Sequence, residues 1–154
     1  MDGNTITLLV SLGLIMLGAI LKVLQVCISD NVLEKQKLEY KPSKVSGEML
    51  LGTGNGIGFS LFDGFSCQRY YNGNPVMYCS IYYHFFVILY MPIIPLGCYD
   101  AYLVKRQHKT TIYQIRNKQV MNKWEILYLY CLYWGFVLIV IGLIMFVCCL
   151  FSYL

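Results

Sequence analysis

The side chains that could do nucleophilic, acid–base or metal chemistry are few in this sequence and stand far apart. His84 and His108 are the only histidines, and the seven cysteines include no Cys-x-x-Cys pair that could give zinc two thiolate ligands. His84, Cys79 and Cys98 could converge if neighbouring strands pair, but their spacing does not define a metal site or a Cys–His nucleophile. We interpret His84 as an interfacial strand residue and His108 as solvated, and predict a non-enzymatic protein without a metal or cofactor.

A glycine-rich segment has glycine at every second position from Gly52 to Gly58. Glycine-rich loops bind phosphate where a strand leads into a helix, as in dinucleotide and P-loop sites. This segment leads instead into residues 59–62, which have the character of a strand, and no Gly-Lys-Ser/Thr follows. We therefore favour a turn between strands over a phosphate loop.

Among the elements that position the residues of the central segment, the clearest is a long apolar segment at the C-terminal end. Apolar residues make up 58 % of the chain and charged residues 13 %, against about 25 % charged residues in soluble domains. Residues 126–154 carry no charge and exceed the roughly 20 residues that a membrane-spanning helix needs. Asn122 and Glu125 have the spacing of a capping box. We predict a transmembrane helix over residues 122–153, with aromatic residues near both of its ends, as in an aromatic belt.

The N-terminal apolar segment, Ile6–Ile28, is interrupted only by Lys22. A lysine near the end of a span can reach the membrane interface, so we expect a water boundary close to Lys22. The first residues contain no basic side chain, and the sequence before Cys27 is a poor match to a lipoprotein signal. We predict a retained transmembrane helix over residues 5–28, rather than a cleaved or lipidated leader.

A third span over Cys79–Ile94 would be short and would contain His84 and Pro92. Eleven of the 12 lysine and arginine residues lie between the two end helices, five before this segment and six after it. Two spans keep all eleven on one side, as the positive-inside rule requires. We therefore predict both termini outside and the central segment in the cytoplasm, with an interfacial or re-entrant segment as the open alternative.

Between the helices we predict a polar segment and a β-rich domain. Residues 29–49 are either a flexible tether or a helical extension that Pro42 ends. Residues 50–118 form four to six antiparallel strands rich in aromatic and β-branched residues, with turns at Asn72–Pro75 and Pro92–Pro95. The predicted strands around these turns are Gln68–Tyr71, Val76–Tyr83, His84–Met91, Leu96–Val104 and Thr110–Ile115. The fold class is membrane α+β, two transmembrane helices flanking a small antiparallel domain.

Two sets of residues are candidates for contacts with lipid and between helices. Basic residues before the second helix favour anionic lipid at about 1 kcal/mol per charge, and we prefer this interpretation to nucleic-acid binding. They are Lys105, Arg106, Lys109 and Lys123. Small residues seven positions apart predict close helix packing, within one chain or between subunits. They are Ser11 and Gly18 in the first helix, and Gly135 and Gly142 in the second.

The β region resembles a family of short bacterial membrane proteins of the Bacteroidota type. The resemblance covers about fifty residues and rests on the segment 56–62, Gly-Ile-Gly-Phe-Ser-Leu-Phe, and on the turn motif 92–99, Pro-Ile-Ile-Pro-Leu-Gly-Cys-Tyr. The motif residues are Pro92, Pro95, Gly97 and Tyr99. This chain departs from the pattern at Phe85, at Tyr82 and Tyr83, and at Asp100. The resemblance implies a β-rich module and a bacterial membrane origin, so we predict that the two spans lie in a bacterial inner membrane. Similar strands open some zinc ribbons, but the cysteine pairs are missing, so zinc is not implied.

The favoured function is a membrane module that presents its β domain to a protein partner, as an accessory subunit or an inhibitor. The alternative is a homo-oligomeric channel or transporter component built on the paired helices. No ionisable residue is predicted deep in either span, which disfavours an ion or proton pathway.

Overall fold

The computed structural model describes residues 3–33, 38–39, 42–54, 56–64, 69–75, 80–106 and 110–152. Two long apolar helices flank an antiparallel barrel, which confirms the predicted order of helix, β domain and helix. The helices are α1 (Gly3–Ile28), continued by a π-helical turn (Ser29–Leu33), and α2 (Lys123–Phe151). The strands are β1 (Leu38–Glu39), β2 (Ser43–Gly54), β3 (Ile57–Asp63), β4 (Arg69–Tyr71), β5 (Asn74–Pro75), β6 (Ile81–Ile88), β7 (Met91–Arg106) and β8 (Thr110–Gln119).

The helices α1 and α2 pack side by side in opposite directions. Cys149 near the end of α2 donates a hydrogen bond to the Asn4 carbonyl at the start of α1, at 3.3 Å. The other end of the pair is closed by a buried cluster of Ile28, Leu33 and Cys131, against which Trp124 packs. Both helices are long and apolar enough to cross a membrane, by length and composition.

Five strands form a closed antiparallel barrel in the order β2-β3-β6-β7-β8, with β8 pairing back onto β2. The first part of β7 pairs with β6 and its second part with β8, with a register shift between Asp100 and Ala101. A bulge of this kind bends a strand, so β7 belongs to two sides of the barrel. The buried interior residues are Leu51, Phe62, Ile81, Tyr83, Phe85, Val87, Met91, Cys98, Ala101 and Ile115.

The barrel and α2 share one hydrophobic core. Leu129 of α2 belongs to the same buried cluster as the barrel residues Phe62 and Phe85. Tyr130 and Tyr133 pack against this cluster from the same face of the helix. The first turns of α2 therefore complete the barrel interior.

A short second sheet pairs β1, β4 and β5 beside the barrel. Asn72 and Gly73 form the turn between β4 and β5 with φ values of 48° and 81°, as the favoured Asn-Gly hairpin turn requires. This turn lies within the predicted Asn72–Pro75 segment. Of the predicted strand Val76–Tyr83, residues 76–79 lie outside the described residues. The predicted break before the strand His84–Met91 is wrong, because β6 runs without interruption from Ile81 to Ile88 and pairs with β3 and β7.

The predicted turn at Pro92–Pro95 is wrong, because β7 runs through both prolines. Register shifts opposite β6 leave Ile93 and Leu96 as extra residues, each beside a proline. A proline has no N–H for the ladder and is tolerated where a bulge interrupts the pairing. The turn lies earlier, at Leu89 and Tyr90, which have φ values of 50° and 62°.

The segment 29–49 is neither purely a tether nor purely a helix. The helix ends at Leu33, residues 34–37 and 40–41 lie outside the described residues, and β2 begins at Ser43. The predicted start of the β domain at residue 50 is therefore too late. Residues 43–48 are exposed throughout, so they show no alternation of buried and exposed positions that would reveal a strand.

Candidate functional site

A buried polar cluster of Arg69, Tyr83, Asn122 and Glu125 joins the barrel to the start of α2. The Glu125 side chain is 0 % exposed and accepts hydrogen bonds from Arg69 Nη2 at 2.5 Å and from the Tyr83 hydroxyl at 2.7 Å. The Tyr83 hydroxyl also accepts from the backbone N–H of Asn122 at 3.0 Å. These residues come from the small sheet, the barrel and α2, so the cluster fixes three elements together.

The cluster combines an ion pair between Arg69 and Glu125 with a neutral Tyr83 hydroxyl. Burial raises the pKa of the Tyr83 hydroxyl far above its usual range, and the neighbouring Glu125 charge raises it further. Removing one member of a buried ion pair leaves an uncompensated charge and is strongly destabilising. Since Glu125 accepts hydrogen bonds from two fixed donors, the cluster acts as a structural joint between the barrel and α2, called the joint below.

The predicted capping box is right at Asn122 and wrong at Glu125. The Asn122 side chain accepts from the Trp124 N–H at 2.9 Å and caps α2. Glu125 turns to Arg69 and Tyr83, and Tyr83 takes its place as the acceptor for the Asn122 N–H. The buried arginine offers this carboxylate a partner of opposite charge, which a local backbone N–H cannot match.

An aromatic clamp, formed by Tyr130 and Trp134, holds the β6–β7 hairpin against α2. The Tyr130 hydroxyl donates to the Ile93 carbonyl at 2.5 Å, and Trp134 Nε1 donates to the Pro92 carbonyl at 3.2 Å. The Tyr130 ring also makes an edge contact with Phe85, at 5.7 Å between centroids. Two carbonyls of the bulged strand thus accept hydrogen bonds from the helix.

The other turn-motif residues, Gly97 and Tyr99, pack on each other within β7. A Cβ atom at Gly97 would come within 2.8 Å of the Tyr99 ring, so the ring covers the glycine. Pro95 pairs in register with Phe85. The four motif residues therefore shape a bulged strand and do not form a turn.

The four small helix residues lie together at the α1–α2 contact. A Cβ atom at Gly18 would be 2.7 Å from the Gly135 carbonyl oxygen, and one at Gly142 would be 2.9 Å from the Ser11 carbonyl oxygen. Ser11 itself is buried and donates to Leu8 within α1. The small residues let the two backbones approach closely within one chain.

Lys22 lies between the helices and does not reach beyond them. Its Nζ donates to the Leu132 carbonyl of α2 at 3.0 Å and to Gln25 Oε1 at 3.1 Å. The water boundary beside Lys22 stays a prediction, and the helix continues to Ile28.

The predicted lipid-contacting residues do not form one patch. Lys105 and Arg106 end β7 at the β7–β8 hairpin, whereas Lys123 begins α2 beyond the opposite end of β8. The Lys123 Nζ lies 5.6 Å from the centre of the Trp124 ring. Lys109 lies outside the described residues.

His84 and Cys98 lie on opposite faces of their strands. Cys98 is buried in the barrel opposite Tyr83, whereas His84 alternates to the outer face near Phe59, with ring centroids 5.7 Å apart. Burial lowers the pKa of His84, which favours its neutral form. Cys79 and His108 lie outside the described part of the chain, within which no three His, Cys, Asp or Glu residues could hold a metal ion.

Sequence reasoning missed the buried polar cluster, although one signal was present. Arg69 is the only basic residue between Lys44 and Lys105, and Glu125 is the last charge before the apolar helix. A lone acid and a lone base in apolar surroundings are candidates for a buried pair, since isolated buried charges are rare.

Comparison with known proteins adds no assignment. No family model, curated protein or solved structure matches this chain.

Proposed function

We propose that this protein is a non-enzymatic integral membrane module that holds its barrel at the membrane surface for a protein partner. In this proposal α1 and α2 span a bacterial inner membrane as an antiparallel pair. Both termini lie outside and the barrel is cytoplasmic, because eleven of the 12 basic residues lie between the spans. Lys123, at the start of α2, contacts anionic headgroups in this proposal.

The observation that carries the proposal is the double attachment of the barrel to α2. The buried polar cluster and the aromatic clamp bind different parts of the barrel to successive turns of one helix. A tether would let the domain move freely, whereas this joint supports one fixed orientation relative to the helix. A fixed orientation suits an accessory subunit or inhibitor that presents one surface to a membrane-bound partner.

The surface that we assign to the partner is the outer arm, residues 102–106 of β7. All five residues of the outer arm are exposed, and Tyr102, Leu103 and Val104 are followed by two cations. The outer arm pairs with β8 beyond the point where β7 leaves the barrel core. An apolar strip with a basic end fits a partner that has an apolar groove with an acidic rim.

The test is recovery of the tagged full chain from bacterial membranes in mild detergent, followed by sizing of the complex. We expect a partner of fixed stoichiometry, which the Leu103→Glu variant loses. Tyr71→Glu is the matched control, since Leu103 and Tyr71 are both 50 % exposed and Tyr71 lies on the small sheet. A pure homo-oligomer that conducts ions in liposomes would favour the channel alternative and overturn the proposal.

The topology has its own test in fusions to the C-terminus. We expect an alkaline phosphatase fusion, which is active only outside the cytoplasm, to be active. A fluorescent-protein fusion that folds only in the cytoplasm should be dark. The opposite pattern would place the barrel outside.

A further inference from the structure

The β6–β7 turn and the described residues of the neighbouring β2–β3 turn form an apolar surface at one end of the barrel, the hairpin tip. It comprises Ile57, Ile88, Leu89 and Tyr90, and all four side chains are exposed. Leu89 is 74 % and Tyr90 is 64 % exposed. The Tyr90 N–H donates to the Gly56 carbonyl at 3.1 Å, which ties the two turns together.

Among the described residues, two hairpin turns have positive φ at both central positions but side chains of opposite chemistry. Asn72 and Gly73 occupy one of them, and these residue types accept positive φ readily. Leu89 and Tyr90 occupy the other with φ values of 50° and 62°, although a Cβ atom disfavours that conformation. Two large apolar side chains are thus held at the tip where Asn-Gly would fit better, which points to a role for the side chains themselves.

The hairpin tip points along α2 toward the middle of that helix. Tyr130 contacts the Ile93 carbonyl, and Trp134, one turn further along α2, contacts the Pro92 carbonyl. Pro92 is the nearer of the two to the β6–β7 turn, so β7 approaches its turn as α2 proceeds. Trp134 lies about 16 Å along α2 from Lys123, at about 1.5 Å of rise per residue. The hairpin tip therefore lies alongside the apolar part of α2, beyond its charged start.

Several backbone groups beside the hairpin tip are hydrogen-bonded within the protein. The Pro92 and Ile93 carbonyls accept from Trp134 and Tyr130, and the Tyr90 N–H is bonded to Gly56. Pro92 has no N–H to satisfy. Unpaired backbone groups normally keep irregular chain out of the hydrocarbon region, and pairing with a neighbouring helix removes that obstacle.

We infer that the hairpin tip inserts into the cytoplasmic leaflet of the bilayer beside α2, with Leu89 and Tyr90 among the lipid chains. This inference rests on the proposed membrane insertion of α1 and α2. The barrel is then bound to the membrane at a second place, so its tilt is fixed by lipid as well as by the joint. The apolar segment that could be mistaken for a third span enters the bilayer as a hairpin end and returns on the same side.

The test uses three variants of the full chain in liposomes, each with one 4-trifluoromethylphenylalanine. The label replaces Tyr90 at the hairpin tip, Tyr71 beside the Asn72–Gly73 turn, or Phe136, which is 62 % exposed on α2. Fluorine relaxation is measured with a nitroxide on the lipid acyl chain and, separately, with a water-soluble gadolinium chelate. Circular dichroism and sizing check that each variant is folded.

We expect the ratio of acyl-chain to aqueous relaxation to be high at positions 90 and 136 and inverted at position 71. If position 136 is lipid-exposed and position 90 relaxes like position 71, the inference is overturned and the membrane anchoring stands. If the aqueous agent relaxes position 136 as strongly as position 71, the membrane anchoring is wrong and the inference fails with it.

Discussion

The helix α2 makes two contacts of opposite kinds. Against α1 it presents small residues, and Gly135 and Gly142 let the backbones approach with few polar bonds. Against the barrel it presents a buried carboxylate and large aromatic donors. The first contact depends on shape and the second on directed bonds, so substitutions should damage them in different ways.

The regular spacing of the first contact predicts that it tolerates little change. Contacts pair Asn4 with Cys149, Ser11 with Gly142 and Gly18 with Gly135, so both helices repeat every seven residues. A seven-residue repeat keeps the same face toward the partner helix along its length. Bulk added at one position therefore pushes the whole pair apart.

The largest expected effect is at the joint, in the Glu125→Ala variant. Arg69 would keep a buried charge without its carboxylate, and breaking such a pair typically costs about 3–5 kcal/mol. We expect a loss of this size in the free energy of unfolding, measured by denaturant titration in detergent micelles. The exposed Glu48→Ala is the control and should change stability by less than about 0.5 kcal/mol. Equal effects of the two substitutions would show that the cluster does not stabilise the joint.

The next effect is at the helix contact, in the Gly18→Leu variant. The new side chain would overlap the Gly135 carbonyl and Ile139, and overpacking typically costs about 1–3 kcal/mol. Gly13→Leu, on the same helix with nothing within 4 Å of its Cβ position, is the control. Thermal unfolding in detergent should separate the two variants, and a Gly18→Leu protein as stable as the control would contradict the close contact.

High pH should weaken the joint and leave the helix contact intact. The pKa of Tyr83 is raised from its ordinary value of 10.0, so above pH 10 the unfolded chain releases a proton that the folded chain keeps. Its contribution is complete below pH 10 and falls by about 1.4 kcal/mol by pH 11. The difference between wild type and Tyr83→Phe isolates this loss, because burial also raises the pKa of Tyr82 and Tyr113. Parallel curves for the two proteins would refute the assignment.

The smallest effect is at the clamp, in the Trp134→Phe variant. The Pro92 carbonyl would lose its donor, and a hydrogen bond of this kind contributes about 1 kcal/mol. We expect faster hydrogen exchange of the β6–β7 hairpin with unchanged exchange in β8. Tyr102→Phe removes an exposed hydroxyl far from the clamp and is the control. Unchanged exchange in the Trp134→Phe hairpin would mean that the rings alone hold it.

The comparison between the two contacts also shows how far the sequence could predict the structure. The predicted positions of the small residues need only the period of a helix, since Ser11, Gly18, Gly135 and Gly142 are local features of two regular elements. The polar cluster needs Glu125 to be paired with Tyr83 and Arg69, which lie 42 and 56 positions away in the chain. No local pattern carries that information.

The sequence by itself determined two long apolar helices, their facing small residues and a β-rich centre, because hydrophobic period and turn residues act over a few positions. Only the tertiary structure decided that Pro92–Pro95 runs as a bulged strand, because α2 supplies donors to the Pro92 and Ile93 carbonyls. The tertiary structure also decided that the Glu125 carboxylate pairs with Arg69 instead of with the Asn122 N–H of the predicted capping box. A buried carboxylate is stabilised most by a partner of opposite charge. Here that partner lies 56 positions away in the chain, so only the complete fold brings the two together.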